Sequence, residues 1–303
     1  MTGVITTGNI PKALWPGIKG WWGRFYDEHP VQYTDLFEIQ QSEMSYEELV
    51  EVTGFGLAPV KPQGQAIEYD SEEQSTVSRF TNVAYALGFI VTWEETRDNL
   101  YMKVAKRRTQ ALAWSMRQTK ENVSANVYNR GFNSTYTGGD GVEMLSTAHP
   151  SFSGNQSNEL SVAADFSEAS LEDLCIQIAN AVNTRGLKID IKPKSLIIPT
   201  SLMYEAQRVL KSVLQNDTAN NAINALKVTN SIPEGIKVNN YLTDTDAWFV
   251  RTDCPESLIL FERDPMMFEQ DNDGDTKNIK YNAYERYIPK WADWRGIYGS
   301  PGA

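Results

Sequence analysis

The chain is poor in the residues from which most chemistry is built. Two cysteines, Cys175 and Cys254, and two histidines, His29 and His149, lie scattered along 303 residues. Ligands so far apart make no recognisable zinc spacing. Sparse thiols fit a reducing compartment and argue against a disulfide framework. No apolar run approaches the ~18 residues that cross a bilayer, and the longest, near Ala84–Val91 and Leu196–Met203, have the size of core strands. The N-terminal stretch holds Pro11, Trp15 and Pro16 but no apolar signal core. There is no G-x-x-x-x-G-K-[ST] phosphate loop and no G-x-S-x-G elbow. His149 allows a Ser–His–Asp set only by arithmetic. Gly138–Gly141 lacks the flanking strand and helix of a dinucleotide loop and reads as a turn. Glu269, Asp271, Asp273 and Gly274 imitate a calcium loop, but Lys280 stands where a bidentate glutamate is needed. The expectation is a chain with no catalytic, cofactor or metal site.

Charge is present in quantity, and its placement is uneven. The net charge of −11 disfavours binding to nucleic acid through phosphate neutralisation. Residues 31–95 carry Lys61 and Arg79 against twelve acids, 2 − 12 = −10. Residues 96–130 carry eight Lys or Arg against Asp98 and Glu121, 8 − 2 = +6. Two solvated faces would explain this; docking of one block on the other, within or between subunits, is the sharper reading.

The pattern along the chain is α+β. Residues 1–30 are too broken by Pro11, Pro16, Pro30 and glycines for a long helix. Their Trp15, Trp21, Trp22, Phe25 and Tyr26 need a surface to pack on, either the chain's own core or a neighbour. Val52–Val60 and Thr76–Thr92 favour strands around a turn at Lys61–Gln65, a hairpin that is marginal alone. Residues 94–130 predict one long helix, with Tyr101, Ala105, Leu112, Met116, Val123 and Val127 on a single stripe and Gly131 as its stop. Such a helix should lie across a sheet.

A polar loop over 132–165 follows. Ser170 is then expected to cap a helix that buries Leu171, Leu174, Cys175, Ile178 and Val182 and ends at Gly186. Ser195–Ile198 reads as a buried strand ended by Pro199, and Ser201–Leu214 as a helix with Leu202, Ala206, Val209, Leu210 and Val213 inward. An asparagine-rich loop (Asn216, Asn220, Asn221, Asn224) leads to strands at Ile236–Tyr241, Ala247–Arg251, Ser257–Phe261, Met266–Glu269 and Ile279–Tyr287. Asp271–Asp275 makes the last turn.

These elements in this order resemble the major capsid proteins of tailed bacteriophages, over nearly the whole chain. Gly64-Gln65-Ala66-Ile67-Glu68-Tyr69-Asp70 with Tyr85-Ala86-Leu87-Gly88-Phe89 looks like the return of their extended loop. Asp140-Gly141 with Leu145-Ser146-Thr147-Ala148-His149-Pro150 is similar to a segment of Mu-like major head subunits. Ile197-Ile198-Pro199 followed by Ala206-Gln207-Arg208-Val209-Leu210 looks like their axial strand and helix, and Asp293–Ser300 like their C-terminal strand.

The resemblance implies a Hong Kong 97-type capsid fold. Its parts would be an N-terminal arm (1–50), an extended β-hairpin loop (51–93), a peripheral domain with its spine helix at 94–130 (94–165), an inserted axial domain (166–256) and closing strands of the peripheral domain (257–303). It implies self-assembly through hexamers and pentamers into an icosahedral head around double-stranded DNA. Portal, scaffolding and decoration proteins would be partners, with no membrane, in a virion built in the bacterial cytoplasm. An encapsulin-like compartment on the same fold, or an unrecognised enzyme, is the alternative. Asp70, Glu72 and Glu73 of the loop are expected to meet a neighbour's Lys103, Lys106, Arg107 and Arg108. Because the chain starts directly with the arm, a separate scaffold is expected. Lys61 is the one loop candidate for the lysine–asparagine cross-link of some relatives.

Overall fold

In the computed structural model, which describes residues 22–97, 101–215, 222–274 and 278–303, the cleanest alternation of the sequence becomes the centre of a sheet. Strand β9 (Ile279–Trp291) buries every second residue, Ile279, Tyr281, Ala283, Glu285, Tyr287 and Trp291 among them. That period of two is what a strand with one covered face requires. It pairs antiparallel with β8 (Leu258–Asn272) on one side and β4 (Val83–Val91) on the other. A short parallel strand, β1 (Glu38–Gln41), completes the order β1-β8-β9-β4. Two strands were expected where β8 runs unbroken. Register shifts around Asp264 absorb Pro265, which could not donate to a regular ladder.

The long helix lies across this sheet as its one-sided stripe demands. It comprises a short α3 (Trp93–Arg97) and then α4 (Tyr101–Asn129), whose 29 residues span ~43 Å at the usual rise per residue. Ala105, Leu112 and Met116 meet Val91, Phe268, Ile279, Tyr281 and Ala283 of the sheet. A preceding helix, α1 (22–27), lays Trp22 and Phe25 into the same cluster. Trp22 stacks on Phe268 with centroids 4.6 Å apart. This part of the arm therefore packs on its own chain; Trp15 and Trp21 lie outside the described residues. Helix α2 (Tyr33–Leu36) then leads into β1.

The extended-loop hairpin differs from expectation at both strands. Its first strand is β2 (Tyr46–Val52), because Gly54 takes a left-handed φ of +65° and ends the extended run before residues 55–60. Its second, β3 (Gln74–Thr81), is cut from β4 at Asn82. There the Asn82 N–H donates to Ser45 O, while its side-chain amide donates to Ser42 Oγ and Met44 O and pins the corner. Phe80 of β3 packs on Ile259 and Phe261, on the sheet face away from the spine.

A second sheet, in the order β10-β7-β5-β6, consists of β5 (Pro193–Ile198), β6 (Ile236–Val238), β7 (Trp248–Thr252) and β10 (Ile297–Ser300). Three helices accompany it: α5 (Glu168–Ala179), α6 (Met203–Lys211) and the single turn α7 (Ala225–Val228). Leu196, Ile197 and Ile198 are fully buried in β5, the mark of a strand covered on both faces. The segment 257–303 is divided, with β8 and β9 in the first sheet and β10 in the second.

The cap of α5 is Ser167 rather than Ser170. Ser167 Oγ accepts from Ser170 N–H and Ser170 Oγ accepts from Ser167 N–H, a reciprocal box in which serine replaces the usual glutamate. The helix stops at Ala179, and Gly186 instead serves a later turn at φ +83°. Val213 lies beyond α6 and is exposed, against the inward position expected of it. Of the asparagine-rich loop, Asn216, Asn220 and Asn221 lie outside the described residues, as does Asp275.

Candidate assembly surface

The loop that leaves β2 is closed at its neck and open beyond it. Thr53 N–H donates to Glu73 O and Glu73 N–H to Thr53 Oγ1. One step further out, Asp70 Oδ2 accepts from Gly56 N–H at 2.8 Å. This bond and the one that Asp70 Oδ1 accepts from Ser71 N–H, ahead of the one from Arg185, hold the Asp70 carboxyl below the usual carboxylate range. The tip turns at Pro62–Gln65, with Gly64 at φ +85°, as the sequence led us to expect. Between neck and tip, Phe55, Leu57, Val60, Ile67 and Tyr69 are all exposed, Val60 and Tyr69 to more than nine-tenths. A run of this kind has nothing to gain in water.

Among the described residues, the cation that ties this loop to the rest of the chain is Arg185. Arg185 Nη1 meets Asp70 Oδ2 at 2.8 Å, and its other terminal nitrogen donates to Ser71 O. Thr53, Gly56, Leu57 and Glu73 line a 490 Å³ cleft against Phe152, Ser153, Arg185 and Leu187.

Among the described residues, the expected acids are not paired with the expected bases in the same chain. Glu72, Glu73, Lys106, Arg107 and Lys61 are exposed. Arg108 is engaged at home, through two bonds to the Glu95 carboxylate (2.9 and 3.0 Å) and one to Ile90 O. The Lys103 side chain lies outside the described residues. Among the described residues, Asp70, Glu72 and Glu73 make no ion pair with Arg107 or Arg108 in one subunit.

Beneath the spine lies a cluster of buried charge that the sequence reading missed. Lys120 Nζ sits 2.6 Å from Glu262 Oε1 and 3.5 Å from Glu285 Oε2, and over the rings of Tyr33 and Tyr287. Burial alone would lower the lysine's pKa, but the Glu285 and Glu262 carboxylates raise it overall. Burial pushes the Glu285 carboxyl up to about 7 despite Lys120 beside it. Arg117 donates to Tyr26 O and covers the Tyr26 ring at 3.9 Å, and Glu121 accepts from Gln32 N–H at 2.9 Å. The cluster thus ties the arm, the spine and two strands together.

A second knot involves His149. His149 is fully buried, flat on Trp294 at 4.6 Å, with Nδ1 on Asp140 (2.6 Å) and Nε2 on Asn158 Oδ1 (3.0 Å). The Asn158 amide donates to Met144 O, Trp294 O and Ile297 O. Among the described residues the ring's hydrogen bonds go to Asp140 and Asn158 and none to a serine, and the ring is fully buried, so His149 and Asp140 form a structural tie. Arg295, almost wholly buried, joins Glu51 of β2 to Asp293 near the C-terminus. Burial raises both thiols, that of Cys175 to about 11. No group of three or more candidate ligands gathers among the described residues, and none of their helices is long and apolar enough to cross a membrane.

The sequence matches the family described as phage capsid protein over residues 76–300. No curated protein matches it. Among solved structures, the fold is similar to a virus-like particle from Pyrococcus furiosus, with a TM-score of 0.55 at 11% identity over 93% of this chain and 97% of that one. It is similar to Mycobacterium phage Che8 (TM-score 0.51, 14% identity, 89% and 92% covered). It is also similar to the capsid of a native GTA particle (TM-score 0.54, 9% identity, 90% of each chain). At such identities the likeness is one of fold, and that fold is the Hong Kong 97 type.

Proposed function

This chain belongs to the phage capsid protein family, and from that premise we propose that its copies gather into hexamers and pentamers and close into an icosahedral head around double-stranded DNA. A capsid shell protein is structural rather than enzymatic. The observation that carries the finer reading is the loop over 53–73: five large apolar side chains on a closed neck, with no core of their own. On this reading the loop lies over a neighbouring subunit, which covers those side chains. Glu72 and Glu73 then face a neighbour's Lys106 and Arg107, with Lys103 beside them. Asp70 and Arg108 reinforce the contact from positions already held by Arg185 and Glu95. Exposed pairs contribute ~0–1 kcal/mol each, so strength comes from repetition around the shell.

The second sheet with α5, α6 and α7 would form the axial part around local symmetry axes, and the first sheet with the spine the peripheral part. The acidic balance suits a wall that need not grip phosphate. A portal, a scaffold and decoration proteins would be its partners, and assembly would take place in the host cytoplasm. Electron microscopy of the purified protein, with and without residues 55–69, tests this. Closed shells from the full chain and none from the deletion are expected. Full-sized shells from the deletion would overturn the role of the loop, and small cargo-filled shells would point to a storage compartment.

A further inference from the structure

The two edges of the first sheet are built differently. β1 is four residues long and carries Glu38, a length and a charge that discourage further pairing. β4, at the other edge, runs nine residues, Val83–Val91, without a charge or a proline. Its glycine is dictated by the neighbouring strand, since a Cβ on Gly88 would lie 2.4 Å from Asn282 Oδ1 and 2.7 Å from Tyr281 O. Val83, Leu87 and Ile90 are exposed, as are Ala84, Ala86 and Gly88 between them.

Backbone direction shows which groups are free. Neighbouring residues of a strand point their N–H and C=O to opposite edges. The Asn82 N–H bonds Ser45 O and the Ile90 C=O bonds Arg108, both outside the pairing with β9. The even-numbered groups therefore face outward, and those of Ala84, Ala86 and Gly88 meet no partner among the described residues.

We propose that the β4 edge pairs antiparallel with the β4 edge of a second copy across a two-fold axis, joining two sheets into one. This rests on the capsid reading, which surrounds each subunit with copies. The strand is self-complementary in the register that overlaps it fully. Leu87 then faces Leu87, Ala86 faces Gly88, and no like charges are opposed. The Ala86 and Gly88 pairs carry the hydrogen bonds, and Leu87 stands at a non-hydrogen-bonded pair, where Cα atoms approach to ~4.5 Å. That spacing lies within disulfide range, which makes the register testable.

Leu87→Cys in the full chain, assembled and then oxidised, should give a covalent dimer on a non-reducing gel, while the parent chain with Cys175 and Cys254 gives none. Leu87→Lys and Leu87→Glu should each lower the yield of closed particles by roughly tenfold, and an equimolar mixture should restore it. Particles of Leu87→Cys that remain monomeric on the gel overturn the edge pairing and leave the shell reading intact. Absence of particles from the parent chain itself would instead remove the shell reading. Should a charged variant fail to fold, the cysteine gel still decides.

Discussion

The charge under the spine helix and the charge on the extended loop follow opposite rules. Lys120 is 3% exposed, with two carboxylates and two aromatic rings around it, so every favourable contact it can make lies within one chain. Glu72 and Glu73 are open to water on a loop whose five apolar side chains are equally uncovered. The first region is complete as a monomer. The second has its neck closed and its surface unspent, which is how a segment looks when its partner is another molecule. Stability should therefore reside in the first and assembly in the second.

The largest effect is expected where the comparison is sharpest. Lys120→Met leaves the buried Glu285 and the half-buried Glu262 without their cation and should cost about 3–5 kcal/mol, measured by chemical denaturation near neutral pH. The deficit should shrink in acid, because protonation of the stranded Glu285 carboxyl removes the charge that needed pairing.

Glu285→Gln should act in the opposite direction. The folded protein holds the Glu285 proton to about 7, against an ordinary value of 4.5. A carboxyl raised in this way adds stability that is fully present below 4.5 and lost as pH climbs to 7. Above that, the ionised group is a burden of about 3 kcal/mol, from the size of the shift at ~1.4 kcal/mol per unit. The glutamine variant should thus be more stable than its parent at pH 8, equal to it near pH 4, and flatter in between. Calorimetry across that range that finds the variant weaker at pH 8 would show that Glu285 is needed as an anion for Lys120.

How much of this was legible depended on periodicity. The spine and β9 were readable because each repeats one pattern over many residues, and both buried charges sit in phase with it. Lys120 falls four residues after Met116 on the helical stripe, and Glu285 falls between Ala283 and Tyr287 in the inward set. A charge on the buried phase of a strong pattern was therefore the available signal for the cluster. The corner at Asn82 was not readable, because bonds to Ser42, Met44 and Ser45 from another part of the chain decide it; the Ser167 box is local but puts serine where glutamate is usual, and the bulge at Asp264 follows from Pro265. Asn158 gave no signal at all, since its carbonyl partners come from segments up to 139 residues away. The loop showed its length and charge, while its tie to Arg185, 115 residues on, has no trace in local sequence.

That tie gives a smaller effect. Arg185→Ala removes a partly exposed pair and should change unfolding stability by no more than ~1 kcal/mol. It also frees the outer neck, so backbone amide exchange at Gly56 and Ser71 should quicken while that of β9 stays unchanged. If β9 exchange quickens as well, the loop is coupled to the core more tightly than the comparison allows.

The smallest effect on the monomer belongs to the loop acids, and here the two kinds of charge can be separated. Asp70 holds backbone groups at the neck, whereas Glu72 and Glu73 form no ion pair among the described residues. Reversing only Glu72→Lys and Glu73→Lys should move the unfolding midpoint by less than the ~0.5 kcal/mol typical of surface changes. The same double variant should assemble poorly, because each reversed charge meets a neighbour's basic residues at every repeat around the shell. Raising ionic strength should narrow its deficit, since contacts of this kind are screened over ~8–10 Å. Normal yields of full-sized particles at low salt would sink the charged contact, and the apolar side chains of the loop would be left as the sole basis for its docking. A variant that melts early would show instead that these acids serve the fold, and the division between a self-sufficient spine and an outward-facing loop would have to be redrawn at the neck.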